Sequence, residues 1–200
     1  MKPTIDCVIF DLGGVLIELD GPPLSAEQSQ LSEADIWQKW LLSSAVREFE
    51  SGHSQPEEFA RALISEMALD QTTDSFLSYF RAWPKGFYTE AGPLLSELKQ
   101  SVQLACLSNT NQLHWERFNQ ESNIISQFDF VFASFETGHM KPDLAAFTHA
   151  AHSLDKRPDQ LLFFDDNATN VESARNAGLR AELTHGPIEA ATQLKRYGLL

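Results

Sequence analysis

The sequence predicts an α/β fold, a doubly wound parallel sheet with a small helical domain inserted after its first strand. Three observations predict it. Short apolar runs bounded by polar or glycine-containing turns alternate with helical patterns, the rhythm of a parallel sheet covered on both faces. That rhythm breaks between Glu18 and Phe87, where no strand-like run occurs and at least three helical ones do. The 200 residues, 42% of them hydrophobic, suffice for one domain or for one domain plus an insertion. We place the core domain at residues 1–17 and 88–200 and the helical insertion at residues 18–87.

Residues 5–10, 102–107, 128–133 and 160–164 read as buried parallel strands, and 180–183 as a weaker fifth. Helices are expected over 91–100, 111–119, 142–153, 170–177 with Gly178 as a stop, and 187–197. Within the insertion, Ser32-Glu33-Ala34-Asp35 has the form of a capping box with Asp for Glu. Ile36, Trp37, Trp40, Leu41, Ala45 and Phe49 then share one helical face. Ser54 and Pro56 open a second helix lined by Phe59, Ala62, Leu63 and Met67, and 73–83 forms a third. Residues 20–25 and 83–86 are the expected hinges.

A net charge of −13 argues against nucleic acid or an anionic membrane as partner, since both require lysine and arginine to neutralise phosphate. A small phosphorylated substrate stays compatible with it, because a bound cation and one lysine reverse the field locally. No apolar run approaches the roughly 20 residues of a membrane span. Strand-like sequence begins too soon after Met1-Lys2-Pro3 for a signal peptide, so a cytoplasmic location is expected. Cys7 and Cys106 fall inside buried strands and read as reduced packing thiols. Oligomeric state is not legible.

Asp11 leaves the first strand into a loop containing Gly13 and Gly14. Alone it reads equally as a nucleophile, a metal ligand or a turn-capping residue. Three further pieces follow in order: Ser108-Asn109-Thr110-Asn111 after the second strand, Lys141-Pro142-Asp143, and Asp165-Asp166-Asn167 after the fourth. All fall at carboxyl ends of strands, where doubly wound sheets collect ligands. Together they resemble the haloacid dehalogenase-like hydrolase superfamily, which has a Rossmann-like core and, in one subfamily, a helical cap domain after the first strand.

The resemblance implies that Asp11 is a nucleophile forming an aspartyl-phosphate, and that Mg²⁺ is the cofactor shielding it from the phosphate dianion. It implies metal ligands at Asp11, the Gly13 carbonyl and Asp166, with Asp165 and Asn170 behind them, Asn170 orienting water. Ser108, Asn109 and Lys141 become the phosphate-binding set, with Ser108 and Lys141 also catalytic. One departure stands out: most phosphatases of the superfamily carry a second Asp two residues after the nucleophile, to protonate the leaving group, and here that residue is Gly13. The motifs are similar to those of a bacterial α-D-glucose-1-phosphate phosphatase branch that shares this glycine. A sugar 1-phosphate is then the expected substrate, because its anomeric oxygen leaves with little protonation. A 2-haloacid dehalogenase and a non-catalytic phosphometabolite-binding protein are the alternatives; Asp166 weighs against the first, and retention of Asp11 against the second. Glu18, Asp20 and His53 are secondary candidates for a missing acid. The remaining histidines, His114 among them, read as surface or capping residues, and Trp37, Trp40 and Trp83 as packing in the insertion.

Overall fold

The computed structural model describes residues 4–24 and 31–200; Met1-Lys2-Pro3 and Ser25 of the first expected hinge lie outside them. In chain order the strands are β1 (Cys7–Phe10), β2 (Ile17–Leu19), β3 (Pro84–Phe87), β4 (Gln103–Ser108), β5 (Phe130–Ala133), β6 (Leu161–Asp165) and β7 (Arg180–Leu183). Five of them form one sheet in the order β5-β4-β1-β6-β7, every neighbour parallel. The central strand sets the level of the site. Cys7 stands opposite both Gln103 and Leu161, and Phe10 opposite both Cys106 and Phe164. The chain therefore leaves β1, β4 and β6 at nearly the same height.

The helices are α1 (Glu33–Leu42), α2 (Ser44–Glu50), α3 (Pro56–Met67), α4 (Thr73–Ala82), α5 (Ala91–Leu98), α6 (Gln112–Glu121), α7 (Ser134–Thr137), α8 (Leu144–Ser153), α9 (Ala168–Asn176) and α10 (Gly186–Tyr197). Alternation along β1 divides the core in two. Val8 and Phe10 pack with Leu95 of α5 and Leu194 of α10, while Cys7 and Ile9 pack with Phe147 of α8 and Val171 of α9. Both faces being covered is why β1 reads as an unbroken apolar run. The two cysteines are free and fully buried, and burial pushes the Cys7 thiol up to about 12. Among the described residues no helix is long and apolar enough to cross a membrane.

The inserted helices gather a third cluster of their own, centred on Trp40, Phe49, Phe59, Phe76 and Phe80. Phe49 stacks on Phe59 at 4.3 Å between ring centroids, and Phe76 on Phe80 at 5.7 Å. Two details differ from the sequence reading. The apolar face from Ile36 to Phe49 belongs to two helices, because Ser43 is extended and its hydroxyl accepts from the Val46 N–H at 3.2 Å, starting α2 afresh. The second difference is that the 83–86 hinge is a strand: β2 and β3 pair antiparallel where the chain leaves and re-enters the core, with Ile17 opposite Phe87. Lys85-Gly86 has no strand signature of its own. The pairing is made across the two chain crossings, with Lys85 Nζ 3.1 Å from Glu18 and 3.3 Å from Asp20.

His114 on α6 joins the insertion to the core. It is buried, its Nε2 lying 2.7 Å from the Phe80 carbonyl oxygen and its Nδ1 3.1 Å from Asn111 Nδ2. A neutral ring satisfies both contacts, Nε2–H donating to Phe80 and Nδ1 accepting from Asn111. Burial lowers its pKa from 6.5 to about 4. The unfolded chain therefore binds a proton below about pH 6.5 that the folded chain refuses until about pH 4, and stability falls as pH drops through that window. Denaturant unfolding between pH 7 and 4 should show wild type losing up to about 3 kcal/mol more than His114→Gln. Equal losses would contradict this role.

Candidate active site

Asp11 is the first residue beyond β1. Its backbone N–H donates to the Phe164 carbonyl at 2.9 Å, and its Oδ1 accepts from the Leu12 N–H at 2.7 Å. The loop then turns tightly, the Leu12 carbonyl accepting from the N–H groups of Leu16 and Ile17. Gly14 sits at φ +68°, and a Cβ there would lie 2.0 Å from Asp166 Oδ2. Only glycine fits both demands. Gly13 has neither restriction: a Cβ would meet Leu19 Cδ1 at 3.4 Å, at the edge of ordinary contact.

Lys141 brings the charges together. Its ammonium is buried, 2.9 Å from Asp11 Oδ1 and 2.6 Å from Asp165 Oδ2, and lies 5.4 Å from the centre of the Phe163 ring. Asn109 fixes the lysine's backbone by a reciprocal pair, accepting from its N–H at 2.9 Å and donating to its carbonyl at 2.8 Å. The side chain expected to bind phosphate thus first sets where Lys141 stands. Asp165 is fully buried and also accepts from the Asn167 N–H at 2.8 Å and from Asn170 Nδ2 at 3.0 and 3.1 Å. Both of its oxygens are occupied, whereas Asp166 is half-buried on the cavity wall.

The electrostatics follow from this crowding. Burial pushes the Asp11 carboxyl up to about 7, with Lys141 opposing and Asp165 and Asp166 adding to the rise. Burial followed by the Asp165 charge raises Asp166 as well. Burial alone would weaken the Lys141 ammonium, but Asp11 and Asp165 outweigh it and hold the pKa above the usual lysine value. One ammonium does not balance three carboxylates. Asp11, Asp165 and Asp166 each offer an oxygen within 4.8 Å of the others, a hard-donor set suited to Mg²⁺. With Asp165 already hydrogen-bonded, Asp11 and Asp166 are the carboxylates open to the ion.

These groups line a cavity of about 460 Å³. The structure brings Asp11, Gly13, Ser108, Asn109, Lys141, Asp166 and Asn170 onto one wall. Ser108 ends β4, buried, and its hydroxyl has no hydrogen-bond partner among the described residues. The opposite wall comes from the insertion: Trp37, Trp40, Leu41, Glu50 and Trp83. The tryptophans therefore face the site as well as their own core. Glu50 was missed by sequence reasoning, and His114, read there as a surface or capping residue, is instead buried and lines the cavity; nothing in the local sequence of either marks which way it faces. Glu18, Asp20 and His53 lie off this wall, the first two held by Lys85 and the last with its Nδ1 2.7 Å from Ser51 Oγ.

A family model described as haloacid dehalogenase-like hydrolase matches residues 5–178. Drimenol cyclase drtB of Aspergillus calidoustus is 28% identical over 95% of the chain, which spans only 36% of that protein's length. Sesquiterpene phosphatase astK of Aspergillus oryzae is 28% identical, with 90% of this chain and 89% of that one covered. D-ribitol-5-phosphate phosphatase of Bacteroides thetaiotaomicron is 24% identical over 86% of this chain and 87% of that one. A Bacteroides thetaiotaomicron enzyme of the same fold, solved with magnesium and inorganic phosphate, superposes with a TM-score of 0.74 at 23% identity, covering 89% and 93% of the two chains.

The two loop glycines predict a contrast. Gly14→Ala forces Asp166 aside and should weaken Mg²⁺ binding at least about tenfold by calorimetry, the scale on which misplaced ligands act. Gly13→Ala should keep it within about threefold. Equal affinity for wild type and Gly14→Ala contradicts the assignment of Asp166 to the ion.

Proposed function

The chain belongs to the haloacid dehalogenase-like hydrolase family, and on that premise we propose that it is a Mg²⁺-dependent phosphatase acting on a small phosphorylated metabolite through an aspartyl-phosphate at Asp11. The observation that carries this reading is Lys141, whose buried ammonium lies within 3 Å of both Asp11 and Asp165 on the wall where Asp166 stands. A carboxylate and a phosphate dianion repel, and bound Mg²⁺ supplies the positive charge that lets them meet, with Asp11 and Asp166 holding it. Lys141 neutralises Asp11 and reaches the transferring phosphoryl group. The free Ser108 hydroxyl donates to a phosphoryl oxygen. Asp165, pinned by Asn170 and the Asn167 N–H, keeps the ammonium in line. Asp11 takes the phosphoryl group, and water then releases it as inorganic phosphate.

For the substrate we retain a sugar phosphate, with a sugar 1-phosphate as the specific case, supported by motif similarity to the glucose-1-phosphate branch and by a relative named for a polyol phosphate. A second reading has its own observation. Trp37, Trp40, Leu41 and Trp83 make the leaving-group side of the cavity largely aromatic and apolar, and one relative is named a sesquiterpene phosphatase. Indole faces accept the C–H face of a sugar ring or an isoprenoid chain alike. A kinetic panel pairing sugar phosphates with prenyl monophosphates decides between them.

Phosphate release should fall by at least about 10³-fold in Asp11→Asn with folding intact, since a covalent nucleophile is removed. Chelation should stop turnover and Mg²⁺ restore it, with Asp166→Ala raising the metal requirement. Full activity after chelation would overturn the metal-assisted phosphatase and favour the dehalogenase.

A further inference from the structure

We propose that Glu50 is the proton donor and acceptor of this site: it protonates the departing oxygen and later takes a proton from the attacking water, in place of the carboxylate that Gly13 does not provide. The inference rests on the phosphatase reading and adds to it a catalytic residue from the helical insertion.

Glu50 lines the same cavity as Asp11, Ser108, Lys141 and Asp166. It is the last residue of α2, and that helix end is fastened to the core on both sides of it. Arg47, one turn earlier, is ion-paired with Asp143, two residues beyond Lys141. Gly52, two residues later, sits at φ +80° where a Cβ would lie 2.2 Å from the Phe135 carbonyl oxygen, so the turn after Glu50 rests directly on core backbone. The segment that carries Glu50 is thus held against the segment that carries Lys141.

Stability does not explain this residue. A carboxylate at the carboxyl end of a helix meets the negative end of the macrodipole. This one is also half-buried at the cavity, and among the described residues it makes no hydrogen bond or ion pair. Burial pushes its pKa up to about 7, with only the Lys141 charge drawing it back. At neutral pH such a group both gives and accepts a proton. A local choice that breaks several folding rules at the wall of a reaction cavity marks a functional residue. The other titratable groups are committed: His114 spends both ring nitrogens on Phe80 and Asn111, Asp165 is saturated, and Glu18 and Asp20 hold Lys85.

The proton balance closes. An Asp11 oxygen bonds to phosphorus as the ester P–O bond breaks, and the Glu50 proton passes to the leaving oxygen, giving the free alcohol and a Glu50 carboxylate. Water then bonds to phosphorus as the Asp11–phosphorus bond breaks, and its proton returns to Glu50. With Glu50 supplying the proton, the rate depends only shallowly on leaving-group pKa.

The test compares kcat/KM, which ends at phosphoenzyme formation, for p-nitrophenyl phosphate and for alkyl phosphates of rising leaving-group pKa. Wild type should show a shallow slope. Glu50→Gln should lose about 10²-fold or more on the alkyl esters and less than about 10-fold on the nitrophenyl ester. It should also accumulate aspartyl-phosphate. Gly13→Asp, for which the loop has room, should restore alkyl-ester turnover in Glu50→Gln, and if Glu50→Gln does not fold, added formate should rescue Glu50→Ala. Losses equal across the series, or an unchanged slope, overturn the role of Glu50 while the phosphatase reading stands. Wild type inactive on every ester overturns that reading itself.

Discussion

A single buried ammonium holds the site together. Lys141 lies between Asp11 and Asp165 at 2.9 and 2.6 Å, in surroundings where an unpaired charge costs several kcal/mol. Its partners come from different strands, so the arrangement exists only because the sheet register levels the ends of β1 and β6. Asn109, at the end of β4, clamps the lysine backbone from the other side. Three strand ends therefore converge on one cation, and any slip in register would scatter them. Burial first, and then the neighbouring carboxylate charges, drive both Asp11 and Asp166 toward their protonated forms.

The two halves of the chain contribute different things. The sheet supplies charge and precise placement; the insertion supplies a wall. The helices of that wall share an aromatic core in which Phe59 contacts Trp40, Phe49, Phe76 and Phe80. Its ties to the sheet domain include the β2–β3 ribbon, the His114 contact with Phe80, the Arg47–Asp143 ion pair and the seat of Gly52 on Phe135. An aromatic wall beside a charged floor lowers the local dielectric, which strengthens the electrostatic interactions made there.

Most of the sheet was legible because buried parallel strands have a simple signature, a short apolar run between polar turns. The floor of the site was legible for a related reason: Asp11, Ser108 and Asp165 sit next to those runs, so their sequence neighbours reveal their place. Lys141 needed more, since only its position before Pro142 within the ordered set of motifs singled it out. The ribbon at Lys85-Gly86 was invisible because its stability comes from pairing across the chain crossings. Ser43 was overlooked because the apolar spacing from Ile36 to Phe49 survives the helix break. Glu50 and the tryptophan wall were unreadable for a geometric reason: sequence periodicity shows which face of a helix is apolar but not which other element that face meets.

The central claim is that a divalent cation completes the charge balance that Lys141 begins. Thermal unfolding against Mg²⁺ concentration tests it most directly, because an ion bound by the folded chain alone raises the midpoint as RT ln(1 + [Mg²⁺]/Kd). The account predicts a saturable single-site rise in Tm for wild type and none for Asp166→Asn. An unchanged Tm in wild type, or an equal rise in both proteins, would contradict it.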